Sequence, residues 1–487
     1  MSNVQKKFRL FLLFNLVIWS LVPLLRKSIP MDAQEAIIWG KYCLWGTTKH
    51  PPFSGWVAYS FYNLFGEVDK IVYFLSQIFV ALGIYYIYKL ARCFLDENKA
   101  LLAALLQFGV IYYNFSSVEF NVNVISLALW PMCAYYFWLS YQNNKLKDWI
   151  LFGILAGINL LNKYIAGFML LSIFVFVLCD KKGRSLFLNY KSYISVFICL
   201  SMLVPHIWWL YENDFEMLNY ILFRNKEGNI VTYWRHLIYP LKFLGAQVLF
   251  SAVALITFGG FYLCSEKEIT EKNISKSRFL LLANLLPIGI FILISLIRGT
   301  PLKSMWGFPC LYLLGISLFY FFPFKLSEKK INKFFVVMII WSLLFVMGYG
   351  IQCLLTRSER FHTDCNQFVE IMTEKWNEQN NGKKLEYLGS DAWYANMFAL
   401  YSENEVKPML WMKPKNNPWF DENDFYIKGA MIITSNEPEY NMYKEMYGEK
   451  MTPYQIMEVE FKNYFGRSKV RKIFYGFYQG EGTVNEK

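Results

Sequence analysis

The sequence predicts a polytopic α-helical membrane protein with a small α/β domain at its C-terminal end. Two observations carry this. First, the 487 residues are 55% hydrophobic and only 18% charged, and the apolar residues fall in long uncharged runs. A soluble domain of this length has no core large enough to bury so many, whereas about 20 apolar residues suffice for a helix to cross ~30 Å of hydrocarbon. Second, composition changes sharply after about residue 355. The remainder is charged and carries short β-like runs, KKLEYLGS and AMIITS, between helical and turn-rich pieces. The expected division is therefore 1–355, spanning the membrane, and 356–487, an extracytoplasmic α/β domain.

Apolar runs predict spans near 8–25, 71–91, 100–113, 122–141, 149–162, 164–179, 192–211, 241–263, 279–297, 304–323 and 333–354, about eleven in all. The N-terminus, MSNVQKKFRLFLLFNLVIWSLVPLL, is basic and then apolar like a signal peptide. It lacks a small-x-small cleavage site and reads as an uncleaved first span. Only Asn162-Lys163 divides the pair 149–162 and 164–179. If Lys6, Lys7 and Arg9 are cytoplasmic, alternate loops on their side hold roughly twice the basic residues of the opposite loops. That places the N-terminus inside, the C-terminal domain outside, and three segments outside: 26–70, 212–240 and the tail. The first two are too polar to span but rich in aromatic residues, as expected of interfacial helices.

The net charge of +12 is spread over short loops and reads as topology, with no nucleic-acid patch. Nine cysteines form no C-x-x-C pair and sit mostly in apolar runs, as small buried hydrophobes do. No His/Cys/Asp spacing suggests a structural metal. Inverted repeats and paired half-helices, the marks of a transporter, are not visible.

Candidate residues cluster on the predicted outer side. MDAQEAIIWGKYCLWGTTKHPPFSGW, residues 31–56, follows the first span. Asp32 and Glu35, three apart, share a helix face. They are either loop acids at the membrane surface or a general base for an attacking hydroxyl. Lys49-His50 before Pro51-Pro52 suits either a snorkelling lysine or a phosphate site. Glu119 with Asn121 and Asn123 forms an E-x-N-x-N run for which a helix N-terminal acid is an incomplete account. Lys163, alone between apolar runs, is a site cation or the tip of a hairpin with its ammonium turned to water. Arg298 and Lys303 add positive charge near 304–323. His206, in VPHIWW, reads as a packing histidine. Acids near several cations at a lipid boundary fit a reaction in which a lipid-linked phosphate leaves and a hydroxyl or amine attacks.

These residues resemble a family. The order Asp32, Trp39, Gly46, His50, Pro51, Pro52 is similar to the first-loop signature of bacterial dolichyl-phosphate-mannose-protein-mannosyltransferase-like proteins. That family comprises GT-C-class glycosyltransferases and includes the lipid A aminoarabinose transferases. Further matching pieces follow in order: Glu119, Asn121 and Asn123; Gly157, Leu161, Lys163 and Tyr164; Pro205, Trp208, Trp209, Asn213 and Asp214; Phe243 to Gln247; Lys303, Trp306 and Pro309; and SDAWYAN, Ser390 to Asn396. The resemblance implies a GT-C-like fold and inverting transfer of a sugar from an undecaprenyl- or dolichyl-phosphate donor outside the membrane. The acceptor it implies is lipid A or another envelope glycolipid, with a protein hydroxyl as runner-up and a lipid-linked-sugar flippase or an inactive scaffold as rivals of other classes. It makes Asp32 the base or acceptor-orienting acid, gives Lys49, His50 and Lys163 to the donor phosphate, and has Glu119 face the sugar or the acceptor; Glu35 joins Asp32 and Glu119 as a catalytic candidate, and Arg298 and Lys303 join the phosphate cations. Asn121, Asn123, Trp39 and Gln247 would meet sugar or acceptor. No cofactor is implied, and a divalent metal stays open. The chain departs from the pattern at Ala33, where many relatives have a second acid, and at Lys49-His50, where aminoarabinose transferases have Glu-Lys. The sugar is therefore left unnamed.

Overall fold

A computed structural model describes residues 3–224, 233–412 and 417–481. The part of the expected 212–240 loop at 225–232 lies outside the described residues. Through the spanning region the helices are α1 (Asn3–Leu21), α2 (Met31–Lys41), α3 (Phe53–Leu64), α4 (Ile71–Ala91), α5 (Glu97–Leu106), α6 (Val122–Asn143), α7 (Leu146–Asn162), α8 (Ala166–Cys179), α9 (Lys181–Arg184), α10 (Tyr190–Glu212), α11 (Glu216–Arg224), α12 (Arg235–Phe250), α13 (Ala252–Leu263), α14 (Ile274–Arg298), α15 (Leu314–Phe321) and α16 (Glu328–Leu355). The tail adds α17 (Glu359–His362), α18 (Cys365–Gln379), α19 (Ala392–Tyr401), α20 (Glu422–Lys428) and α21 (Glu437–Tyr447). Its strands are β1 (Tyr387–Ser390), β2 (Lys407–Leu410), β3 (Ala430–Thr434), β4 (Gln455–Lys462) and β5 (Ser468–Tyr478).

By their contacts these elements form two compact units. The first comprises Met1–Val22, Trp45–Ser54 and Tyr73–Tyr349; the second comprises Pro23–Leu44, Gly55–Val72 and Gly350–Lys487. Residues 23–44 and 55–72, expected with the spanning part, thus group with the tail.

Six described helices are long and apolar enough to cross a membrane: α1 with its extension to Leu25, α4, α6, α10, α14 and α16. Three further runs are broken. Glu97–Gly109 meets Ile111–Val118 at 88°, α12 meets α13 at 58°, and Ser304–Leu311 meets α15 at 54°. Counting each bent pair as one span gives up to nine. The remaining two expected spans are α7 and α8, with 17 and 14 residues, the first at the lower limit of a straight crossing and the second below it. The expected eleven therefore becomes six to nine. Hydropathy reports that a run is apolar; it does not report that the helix is continuous or long enough.

Helix ends are set by local chemistry. Asn121 caps α6 by accepting from the Asn123 amide at 2.9 Å, and Asn144, at φ 50°, ends it in the left-handed region. Of the α6 window, 78% is buried, against 28% for α10, so α6 is the central helix of the first unit and α10 shows an apolar flank. Within the spans, some polar atoms find partners across helices. The Ser342 hydroxyl donates to Asn15 and the Asn159 amide donates to the Leu129 carbonyl at 3.1 Å, as hydrocarbon surroundings require.

In the second unit a five-stranded sheet runs β2-β1-β3-β5-β4. β1 pairs in parallel with β2 and β3, and β5 pairs antiparallel with β3 and β4. Every residue of β1 and β3 is buried, the signature of central strands covered on both faces. The alternation of side chains sorts them: Leu388, Met431 and Ile433 join Phe368 and Trp376 in one core, while Tyr387, Ala430 and Ile432 join Phe425 and Tyr440 in the other.

Candidate active site

Of the predicted acids, Asp32 and Glu35 lie in the second unit and Glu119 in the first. α2 begins after Pro30, whose carbonyl accepts from the Ala33 and Gln34 amides at 3.1 Å. Asp32 sits in the first turn, where the helix dipole favours an anion. Glu35 follows on the same face and is 2% exposed. Burial runs without a break from Ala33 to Gly40 and includes Trp39. Along most of its length α2 is therefore a packed helix. The exposed apolar side chains instead collect at the end of α3, at Leu64, Phe65 and Val68.

Between these stretches, Trp45–Ser54 belongs to the first unit. Thr47 builds its turn. The Thr47 hydroxyl donates to the His50 carbonyl at 3.0 Å and accepts from the Lys49 and His50 amides at 3.2 and 3.0 Å. Lys49 and His50 are thereby held side by side before the two prolines. Gly46 is required next to them: a Cβ there would come within 2.3 Å of the Trp209 indole. His206 anchors the same stretch. Its Nδ1 lies 2.5 Å from the Trp45 carbonyl and its Nε2 lies 2.6 Å from the Tyr164 hydroxyl. A carbonyl only accepts, so Nδ1 carries a proton, while Nε2 and the Tyr164 hydroxyl share the second hydrogen bond. The histidine read as packing is 1% exposed and joins three of the sequence motifs.

Lys163 lies next in chain to Tyr164. It ends α7 in an extended conformation, is 9% exposed, and donates to Asn123 Oδ1. Asn162 beside it donates to the Val122 carbonyl at 2.8 Å and to the Ser126 hydroxyl at 3.1 Å. The tip of the α7–α8 hairpin is thus stapled to the start of α6, and the ammonium is turned into the protein and not out to water. The E-x-N-x-N run gains an explanation: Asn121 caps α6, Asn123 holds the lysine, and Glu119, exposed, ends the 3-10 turn Phe115–Val118. The short helix Ser304–Leu311 follows Lys303 and packs against α6.

That helix is fixed by two residues. The Tyr112 hydroxyl lies 2.7 Å from the Ser304 carbonyl and 2.9 Å from Gln247 Oε1, and Gln247 Nε2 donates to the same carbonyl at 3.1 Å. A Cβ on Gly307 would come within 2.1 Å of that amide. Gln247, expected on sugar or acceptor, is 4% exposed and anchors the backbone after Lys303. Arg298 is exposed in the last turn of α14, favourable to the dipole there, and Gly299 at φ 61° closes the helix.

The first unit thus holds Lys49 and His50 in one turn, and Lys163 with Asn121 and Asn123 in one network beside 304–311. Asp32, Glu35 and Trp39 belong to the other unit. Sequence reading missed Thr47, Tyr112 and the anchoring part of His206. Only His206 had a signal, its place inside the P-x₂-W-W motif. Among the described residues no group of three or more His, Cys, Asp or Glu side chains is placed to hold a metal.

Comparison with known proteins bears on the whole arrangement. Residues 49–209 match the family model described as dolichyl-phosphate-mannose-protein mannosyltransferase. The lipopolysaccharide core galacturonosyltransferases RgtA and RgtB of Rhizobium johnstonii are 22% and 20% identical over 324 and 298 residues. The aligned stretches cover 63% and 59% of this chain, and 62% and 59% of those proteins, so the chain spans about three fifths of the length of these curated relatives. The crystal structure of ArnT from Cupriavidus metallidurans bound to undecaprenyl phosphate superposes with a TM-score of 0.62 at 12% identity, covering 98% of this chain and 99% of that one. The apo structure of the same protein gives 0.53. The chain therefore has the GT-C fold of ArnT, with several helices long and apolar enough to cross a membrane.

Proposed function

We propose that the protein transfers a sugar from a polyprenyl-phosphate donor, of the undecaprenyl type, to lipopolysaccharide or another envelope glycolipid. The observation that carries this reading is Lys163. It is a buried cation at the junction of two apolar helices, held by Asn123. An ammonium costs too much there to be incidental, and it is suited to a phosphate on a lipid chain. The named relatives act on lipopolysaccharide core and the ArnT structure carries undecaprenyl phosphate; both support this donor and acceptor class.

In the proposed step the acceptor hydroxyl attacks the anomeric carbon on the face opposite the phosphate. The new C–O bond forms as the bond to phosphate oxygen breaks, which inverts the configuration. The bonding pair leaves on polyprenyl phosphate, and Lys49, His50, Lys163 and Lys303 stabilise the charge that builds there. Asp32, with Glu35 behind it, takes the acceptor proton, and Glu119 meets sugar or acceptor. The N-terminus is cytoplasmic in this reading and the tail extracytoplasmic, in the inner membrane. A protein acceptor is the second reading, from the description of the matched family.

Mass spectrometry of envelope glycolipids from cells with and without the protein tests the proposal. One added sugar residue is expected, lost with Asp32→Asn. Unchanged glycolipids together with a glycosylated envelope protein would replace the first reading by the second. Labelled sugar that crosses the membrane unaltered would mean a flippase.

A further inference from the structure

SDAWYAN, the one motif left without a role, builds α19. Asp391 caps it, accepting from the Trp393 and Tyr394 amides at 2.9 and 3.2 Å. Trp393 and Tyr394 then enter the core on that side of the sheet. α19 packs against α2, the helix of Asp32 and Glu35, and Met31 at the start of α2 rests on the same core.

The segments around α2 are fastened to the domain as well. Before it, the Lys27 amide donates to the Phe361 carbonyl at 2.9 Å, and the Arg26 guanidinium donates to the Arg360 carbonyl at 2.9 Å while lying 4.1 Å over the Phe361 ring. After it, Lys41 pairs with Glu405 at 2.9 Å, and Tyr42 stacks on Trp419 with centroids 4.6 Å apart. Past α3, the Tyr401 hydroxyl donates to Asp69 at 2.5 Å. Lys41 holds the Glu405 carboxyl below its usual range, and burial with the Glu405 charge pushes Tyr42 up to about 12.

We infer that the C-terminal domain is the positioning element of the acid-bearing helix: α19, Glu405 and Trp419 set where Asp32 and Glu35 point, and transfer depends on them although they touch no substrate. This rests on the reading of Asp32 and Glu35 given above. The full-length protein carrying Lys41→Glu, Glu405→Lys, both together, or Trp419→Ala tests it through three readouts. Amide exchange of residues 31–41 should quicken about tenfold in Trp419→Ala and several-fold in each charge reversal, and return to the wild-type rate in the double reversal. Product yield should follow the same order. Binding of undecaprenyl phosphate should stay within about twofold, because the expected phosphate cations belong to the other unit. Unchanged exchange at 31–41, or no rescue in the double reversal, overturns the inference whatever the activity proves to be. Wild-type cells without modified glycolipid would instead overturn the reaction assigned above.

Discussion

The two units hold their charged side chains by opposite means. In the first, the expected phosphate cations are held by single polar side chains: Thr47 bonds the turn that presents Lys49 and His50, and Asn123 receives Lys163. In the second, the acids stand on a regular helix whose place is shared among a neighbouring helix, an ion pair, a ring stack and several backbone bonds. The difference follows from the surroundings. An apolar bundle offers no water to satisfy a stray donor, so a cation there must be met one atom at a time. A packed α/β domain can spread the task over many weak contacts. Single substitutions should therefore be severe in the first unit and graded in the second.

The largest effect is expected at Lys163. Lys163→Ala removes a buried charge and leaves Asn123 facing the gap, and should lower product yield by about 100-fold or more, as losing one donor to a developing anion does elsewhere. Asn123→Ala should cost less, about tenfold, since the ammonium stays but loses its acceptor. Quantified glycolipid from equal amounts of folded protein measures both. A Lys163→Ala protein with wild-type yield would remove the contrast between the units.

How much of this was legible in the sequence differs between the same two regions. The apolar runs gave helices, and the two β-like runs of the tail became β1 and β3. The spacing of Asp32 and Glu35 gave one helical face. The breaks inside 100–113, 241–263 and 304–323 were not legible, because they lie among apolar residues and depend on what packs across them. The grouping of 23–44 with the tail was hidden for a similar reason: α2 meets α19 about 360 residues later, and nothing local announces a contact so distant in sequence. The bond of Gln247 to the Ser304 carbonyl was not legible either, since a polar residue in an apolar run gives no sign of which distant backbone it meets.

Tyr112 sharpens the comparison within the first unit. Tyr112→Phe keeps the ring against Phe308, 4.4 Å between centroids, and removes the hydroxyl from the Ser304 carbonyl. The loss of a buried hydrogen bond is worth about 1–3 kcal/mol, and the backbone after Lys303 should loosen. If Lys303 meets the donor phosphate as proposed, the donor KM should rise about tenfold with kcat changed far less, because Tyr112 holds the backbone beside that lysine. Steady-state kinetics with varied donor separates this from a general loss of fold, which would lower the active fraction and leave KM alone.

The smallest effect is a pH response confined to the second unit. Glu405 has its carboxyl pKa lowered by hydrogen bonding to Lys41, then by the charges of Lys41 and Lys407. A carboxyl lowered on folding contributes stability that is complete above its unfolded value and fades as pH falls through the folded one. Exchange protection of residues 31–41, corrected for intrinsic rates, should therefore be flat from about pH 8 to 5 and decline below about 4.5. The decline should be slight, since Glu405 is largely exposed and its ion pair is screened. Glu405→Gln should show lower protection at neutral pH and no further loss below 4.5 from this pair. Lys163 offers the control: its contact with Asn123 involves no carboxylate, so protection at the start of α6 should not change across the same range. A decline shared by both regions would mean that acid loosens the whole molecule, and the ion pair would then have no separate part in holding α2.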